Sequence, residues 1–175
     1  SKSTEAYASL GQATMRGGKP AEAFRLFKKL FFMSQSRESR LVAGLGAGKC
    51  LYMQGKHELA VKWLNDHIIM AVGGGKNGKG NLSEAYLLLG KCHVALGNTS
   101  QAIAACRSVL ATYPKVDERI EACQALAEAW RASGDLPKAL AVSLQVVKEV
   151  ESGEQKYQAL VTAAGLYREM GVAER

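Results

Sequence analysis

Two glycine-rich stretches, four cysteines and three histidines are the residues whose types could do chemistry in this chain. AGLGAGKC, residues 43–50, leads glycines up to Lys49 much as a phosphate-cradling loop would. That loop needs G-x-x-x-x-G-K-[ST] after a strand, so that backbone N–H groups and the lysine surround an anion. Here Ala43 holds the first glycine position, Cys50 holds the hydroxyl position, and the flanking residues have a helical period. Nucleotide binding is not expected there. The second stretch, GGGKNGKGN (Gly73 to Asn81), reads as a flexible connecting loop, with Asn81 or Ser83 capping the next helix.

Cys50, Cys92, Cys106 and Cys123 form no CxxC pair, and each falls within an apolar helical pattern. Four reduced core thiols in a reducing, intracellular and cytoplasmic setting are expected. His57, His67 and His93 show neither HExxH nor a Cys/His cluster at ligand spacing. His93 occupies a core position, where a packed neutral imidazole is expected. No Ser/His/Asp set or carboxylate pair is recognisable, so no catalysis, metal or cofactor is expected.

The elements that must position these residues come from an internal repeat. SLGQATMRGGKPAEA, GAGKCLYMQGKHELA, LLGKCHVALGNTSQA, ALAEAWRASGDLPKA and a shortened TAAGLYREMG share one register: a small residue, a glycine seven positions on, and an alanine five further. The turn glycines are Gly18, Gly55, Gly97, Gly134 and Gly171, and the alanines Ala23, Ala60, Ala102 and Ala139. Apolar residues three and four apart on both sides of each glycine predict a helix pair. Glycine suits the left-handed C-cap, and Pro20 and Pro137 suit the first turn of a second helix. Gly48 and Gly90 should let helices approach, with Leu26, Leu64 and Trp130 filling between them. No stretch alternates with period two, so the expectation is all-α: nine helices, four pairs and a solitary last helix. The units span about 3–39, 40–76, 82–115 and 116–152, with a partial unit at 153–175 and the glycine-rich loop at 73–81. The longest apolar runs fall well short of the ~20 residues a membrane span needs.

YLLLGKCHVALGNTSQAIAACRSVLATYP, in the third unit, carries the aromatic, Leu-Gly, Gly, Ala and final Pro positions of the tetratricopeptide repeat (TPR), which the chain resembles along nearly its whole length. Spacings of 37, 42, 37 and 37 exceed the family's 34-residue register and are similar to the extended repeats of kinesin light chain and Pins-type adaptors. The family's aromatic position holds Gly44 in the second unit and Cys123 in the fourth, a departure from the pattern. The resemblance implies a right-handed superhelix with a concave groove lined by the first helix of each pair. In that register the groove would present Arg16 with Glu5 and Gln12, then Val42, Leu45, Lys49, Tyr52 and Met53. Beyond these would come Glu84, Leu87, Leu88, Lys91 and Val94, and finally Glu121, Gln124, Glu128 and Arg131. Chaperone-binding relatives hold two carboxylates with Lys, Asn and Arg. The matching positions here are Ala8, Gln12, Gly46, Glu84 and Leu88, or Leu45, Lys49, Leu88, Glu121 and Ala125, so the acidic tails of Hsp70 and Hsp90 are not expected ligands.

Charge refines the partner. Residues 1–80 hold 13 Lys/Arg against 5 Asp/Glu, and residues 81–175 hold 10 against 11, so the net +7 is +8 followed by −1. The expected role is a scaffold or adaptor that binds an acidic-apolar peptide or partner helix, with Lys49 and Lys91 meeting its carboxylates. The alternatives are an RNA-binding helical repeat that uses the basic half and a self-associating array. Nucleic acid is disfavoured because the groove lacks repeated base-reading polar pairs. Self-association would use the apolar end at Leu160, Val161, Ala164, Leu166 and Tyr167.

Overall fold

The computed structural model describes residues 2–69, 82–111, 116–150 and 153–171. These form nine α-helices and no strand: α1 Lys2–Arg16, α2 Pro20–Met33, α3 Arg37–Met53, α4 His57–Leu64, α5 Ser83–Ala95, α6 Thr99–Ala111, α7 Val116–Ala132, α8 Leu136–Glu149 and α9 Glu154–Glu169. A single π-helical turn, Asn65–Ile69, extends α4. The glycine-rich stretch Gly73 to Asn81, and with it the expected flexible connecting loop, lies outside the described residues.

The helix pairs are made at the glycines. Gly18, Gly55, Gly97 and Gly134 have φ of 74°, 70°, 71° and 80°, the left-handed region that costs glycine nothing. Each stop repeats one hydrogen-bond pattern: Gly18 N–H donates to Met15 O and Lys19 N–H to Thr14 O, and the same pair recurs at 55/56, 97/98 and 134/135. This is the Schellman closure, which satisfies the last carbonyls of the outgoing helix and reverses the chain in two residues. Second helices then start on Pro20 at the first position of α2, or on Asp135, whose carboxylate accepts from Lys138 N–H at 3.1 Å before α8.

Within each pair one contact repeats at an offset of sixteen residues. A Cβ added at Gly11 would lie 2.9 Å from Phe27, at Gly48 2.8 Å from Leu64 and at Gly90 2.8 Å from Cys106 Sγ. In the fourth pair the small residue is Ala127 and its counterpart is Ser143, and both line one cavity. The larger first residue is matched by a smaller second one, as close packing requires. Phe27, rather than the expected Leu26, is the filler of the first pair: Phe27 is 1% exposed, whereas Leu26 is only half-buried. A Cβ at Gly46 would come 2.7 Å from the same ring, so Phe27 is clamped between α1 and α3. The AGLGAGKC glycines are therefore helix-packing positions. Gly44 meets Ile68, and its carbonyl accepts from Trp63 Nε1 at 2.9 Å.

Ala23, Ala60, Ala102 and Ala139 are fully buried at the pair crossings. The four cysteines are buried free thiols, and burial pushes Cys50 and Cys123 up to about 11 and Cys92 and Cys106 up to about 12. Thiolate is the reactive form. The native chain at pH 8 is therefore expected to react with a thiol reagent at least a hundredfold more slowly than the same chain in denaturant. Fast stoichiometric labelling of any one cysteine without unfolding would contradict this packing.

Candidate peptide-binding groove

First helices of neighbouring pairs touch in order, α1 on α3, α3 on α5, α5 on α7 and α7 on α9, while second helices pack less closely on each other. The array therefore curves with its first helices on the inner face. Their register sets what that face shows. The residue after the small packing residue is Lys49 on α3 and Lys91 on α5, and the residue six before it is Glu84 on α5 and Glu121 on α7. Curvature brings these positions together across the repeat boundary. Lys49 Nζ donates to Glu84 Oε1, and Lys91 Nζ donates to Glu121 Oε2. Ser83 Oγ donates to Glu118 Oε2 at 2.5 Å, and Arg131 pairs with Glu169 at 2.5 Å. The first helices are thus joined by a ladder of polar contacts down the inner face.

Lys49, Glu84, Leu87, Leu88 and Lys91 line one open cavity of about 150 Å³, together with Glu118 and Glu121. Gln124 and Glu128 line a separate cavity toward α9, and Glu128 and Arg131 line another that includes Glu169. Arg16 is exposed at the end of α1, and Met53 is exposed at the end of α3, with neither in the central cavity. The Tyr52 ring lies 5.1 Å from His57, on the turn between α3 and α4 rather than on the cavity wall.

Two further differences from the sequence expectation concern the central cavity itself. Leu45, Leu87 and Leu88 are only 7%, 6% and 6% exposed, so none is a protruding anchor: Leu87 and Leu88 form the cavity floor, and Leu45 belongs to the core. Lys49 and Lys91 share a face one repeat apart, but both are counter-charged, and three glutamates face two lysines in the central cavity. The glutamate partners are legible only when a lysine is compared with the following repeat, at separations of 35 and 30 residues. The pairs are partly exposed, so each stabilises the array by only ~0–1 kcal/mol. They do hold the lysine heads in place.

Elsewhere the chemistry stays bland. His93 is half-buried, with Nδ1 lacking a hydrogen-bond partner among the described residues, and burial lowers its pKa. No cluster of three or more His, Cys, Asp or Glu at metal-binding spacing occurs among the described residues. No helix among them is long and apolar enough to cross a membrane. On α9, Tyr157, Leu160, Val161 and Tyr167 are exposed, whereas Leu166 is 2% exposed and packs with Leu140, so Leu166 does not belong to the open end.

Residues 84–115 match the tetratricopeptide repeat family model. Comparison with curated proteins returned no match. Among solved structures, the chain is similar to nearly identical TPR-like repeats from a Podosopora anserina protein described as a kinesin light chain, with a TM-score of 0.77, 18% identity, and coverage of 95% of this chain and 86% of that one. It is also similar to MamA from Desulfovibrio magneticus RS-1, with a TM-score of 0.76, 15% identity, and coverage of 99% and 89%. The TPR2AB domain of yeast Sti1, solved as a pHSP90 complex, matches with a TM-score of 0.58, 12% identity, and coverage of 97% and 84%. Residues 84–115 thus carry a tetratricopeptide repeat match, and the described residues have the all-α superhelical fold of these TPR-like structures.

Proposed function

We propose that this chain is a non-catalytic adaptor arm whose inner face, between α3, α5 and α7, receives an acidic-apolar extended segment or partner helix. The observation that supports this most is the central cavity, where Lys49 and Lys91 stand in register over a floor of Leu87 and Leu88. An ammonium has three N–H donors. Each lysine spends one on its glutamate, which leaves two for ligand carboxylates or main-chain carbonyls. The glutamates temper the charge, so apolar contact and main-chain hydrogen bonds set the affinity and ligand carboxylates tune it. The Hsp70 and Hsp90 tails remain poor candidates, because Lys49 alone supplies clamp charge and is already paired. Buried thiols suit a reducing, cytoplasmic setting.

The test is a selection of displayed 12-residue peptides on the full chain, followed by affinities for variants. Lys49→Glu with Lys91→Glu is expected to weaken groove-class peptides about tenfold or more. A control, Arg25→Glu with Lys148→Glu, changes two exposed second-helix cations and is expected to leave affinity within about twofold. If every selected peptide ignores the groove pair, the groove reading is wrong. A second reading, self-association, is favoured by the exposed Tyr157, Leu160, Val161 and Tyr167 on α9. Sedimentation that shifts with concentration, and ceases to shift with Leu160→Glu, would establish it.

A further inference from the structure

The lysine heads of the inner face are neutralised by glutamates, so the surplus positive charge of the N-terminal half must stand elsewhere. Much of it surrounds an open pocket of about 400 Å³ on the second helices α2 and α4. Phe24, Lys28 and Phe32 follow one another at four-residue spacing along one side of α2. Leu59, Trp63 and Lys62 come from α4, and Lys56 stands at its entry. Leu51 of α3 and its C-cap Gln54 add to the lining, and Phe32 and Leu59 are 61% and 55% exposed, a large apolar cost on an outer face. Lys28, Lys56 and Lys62 are all exposed, and Asp66 is the one acidic residue in the lining. Lys56 Nζ donates to neutral Gln54 Oε1 at 2.8 Å and forms no ion pair among the described residues.

We propose that this outer pocket is a second docking site, taking one bulky apolar side chain from an acidic segment of a partner protein, with carboxylates beside that anchor meeting Lys28, Lys56 and Lys62. The charge of the rim selects the partner: three lysines against one aspartate attract carboxylates and repel a cationic ligand, despite the aromatic walls. The rings argue against stacked bases. Trp63 has the His67 ring tilted against it at 4.1 Å and Phe24 and Phe31 in T-shaped contact at 5.7 and 5.6 Å, and its N–H is spent on Gly44 O. Base stacking needs open ring faces, and here the rings are walls of a recess. A recess of this size suits one anchor with its neighbours, the usual form of a binding hot spot. The lysines should speed encounter as well as hold the complex.

The experiment uses the full chain, displayed 12-residue peptides, a 12-nucleotide oligo-U strand and phosphatidylserine vesicles as probes. One class of selected peptides is expected to carry an aromatic residue, Leu or Met within three positions of two or more carboxylates. That class should weaken about tenfold or more with Lys28→Glu plus Lys62→Glu, and likewise with Phe32→Ala, yet stay within about twofold with Lys49→Glu plus Lys91→Glu. Exchanging its carboxylates for lysines should restore binding to the charge-reversed chain. All three altered positions are exposed, so melting temperatures should barely move. The proposal is overturned if no such class is selected, if it ignores the reversal, or if only oligo-U or the vesicles depend on Lys28 and Lys62. Because each site has its own variant, the groove reading and this one fail independently.

Discussion

Phe27→Ala is expected to lower the unfolding free energy by ~3–5 kcal/mol, the usual range for an aromatic side chain removed from a closed core. The ring is 1% exposed and is approached on two sides by helices that carry glycine where they meet it, Gly11 on α1 and Gly46 on α3. Those backbones cannot supply side chains to fill the void, so the cavity persists and the loss should sit at the upper end of that range. Phe32, five residues on and 61% exposed, is the internal comparison, with an expected loss within ~0.5 kcal/mol. Urea midpoints of the two variants check the contrast. Similar shifts for both would mean that α2 does not bury the face described.

Gly90→Leu is expected to cost ~3 kcal/mol or more, at or beyond the usual overpacking range. A Cβ there would lie 2.8 Å from Cys106 Sγ and 3.8 Å from Ala102 O, so a branched side chain has no room without separating α5 from α6. The fourth pair shows how the site tolerates a methyl: Ala127 stands opposite Ser143, whose hydroxyl donates to Ala139 O at 3.0 Å. Gly90→Ala with Cys106→Ser should therefore be more stable than the two single losses added together, by ~0.5–1 kcal/mol. Strict additivity in a thermal-denaturation cycle would show that the sixteen-residue contact is not a size-matched pair.

The turn glycines, proline starts and crossing alanines were legible in the sequence because each answers a local demand, a positive φ, a missing N–H or a helix crossing. The identity of the filler was less so. Leu26 and Phe27 are adjacent apolar residues, and only the rotation of α2 against both Gly11 and Gly46 selects the ring. Periodicity placed the apolar residues on their helices but does not give depth: Leu87 and Leu88 are buried in the cavity floor and Leu45 in the core. Lys49 and Lys91 drew attention as like charges in register. Glu84 and Glu121 were placed on the same face, but their pairing with the lysines crosses a repeat boundary, which no single-helix spacing rule describes. The outer pocket carries no sequence signal of its own: Phe24, Phe32 and Trp63 are apolar residues at helical spacing like those of the core, yet Phe32 stays exposed on an outer face.

The most direct measurement is photo-crosslinking of a groove-class peptide that carries a photoreactive phenylalanine at its apolar position, with the adducts located by mass spectrometry on the intact chain. Adducts are expected on α3 and α5, at Lys49 and along the Glu84–Lys91 stretch that lines the central cavity. Lys49→Glu with Lys91→Glu should remove them. Adducts confined to the second helices or to α9, unchanged by that double reversal, would contradict a ligand seated on the inner face.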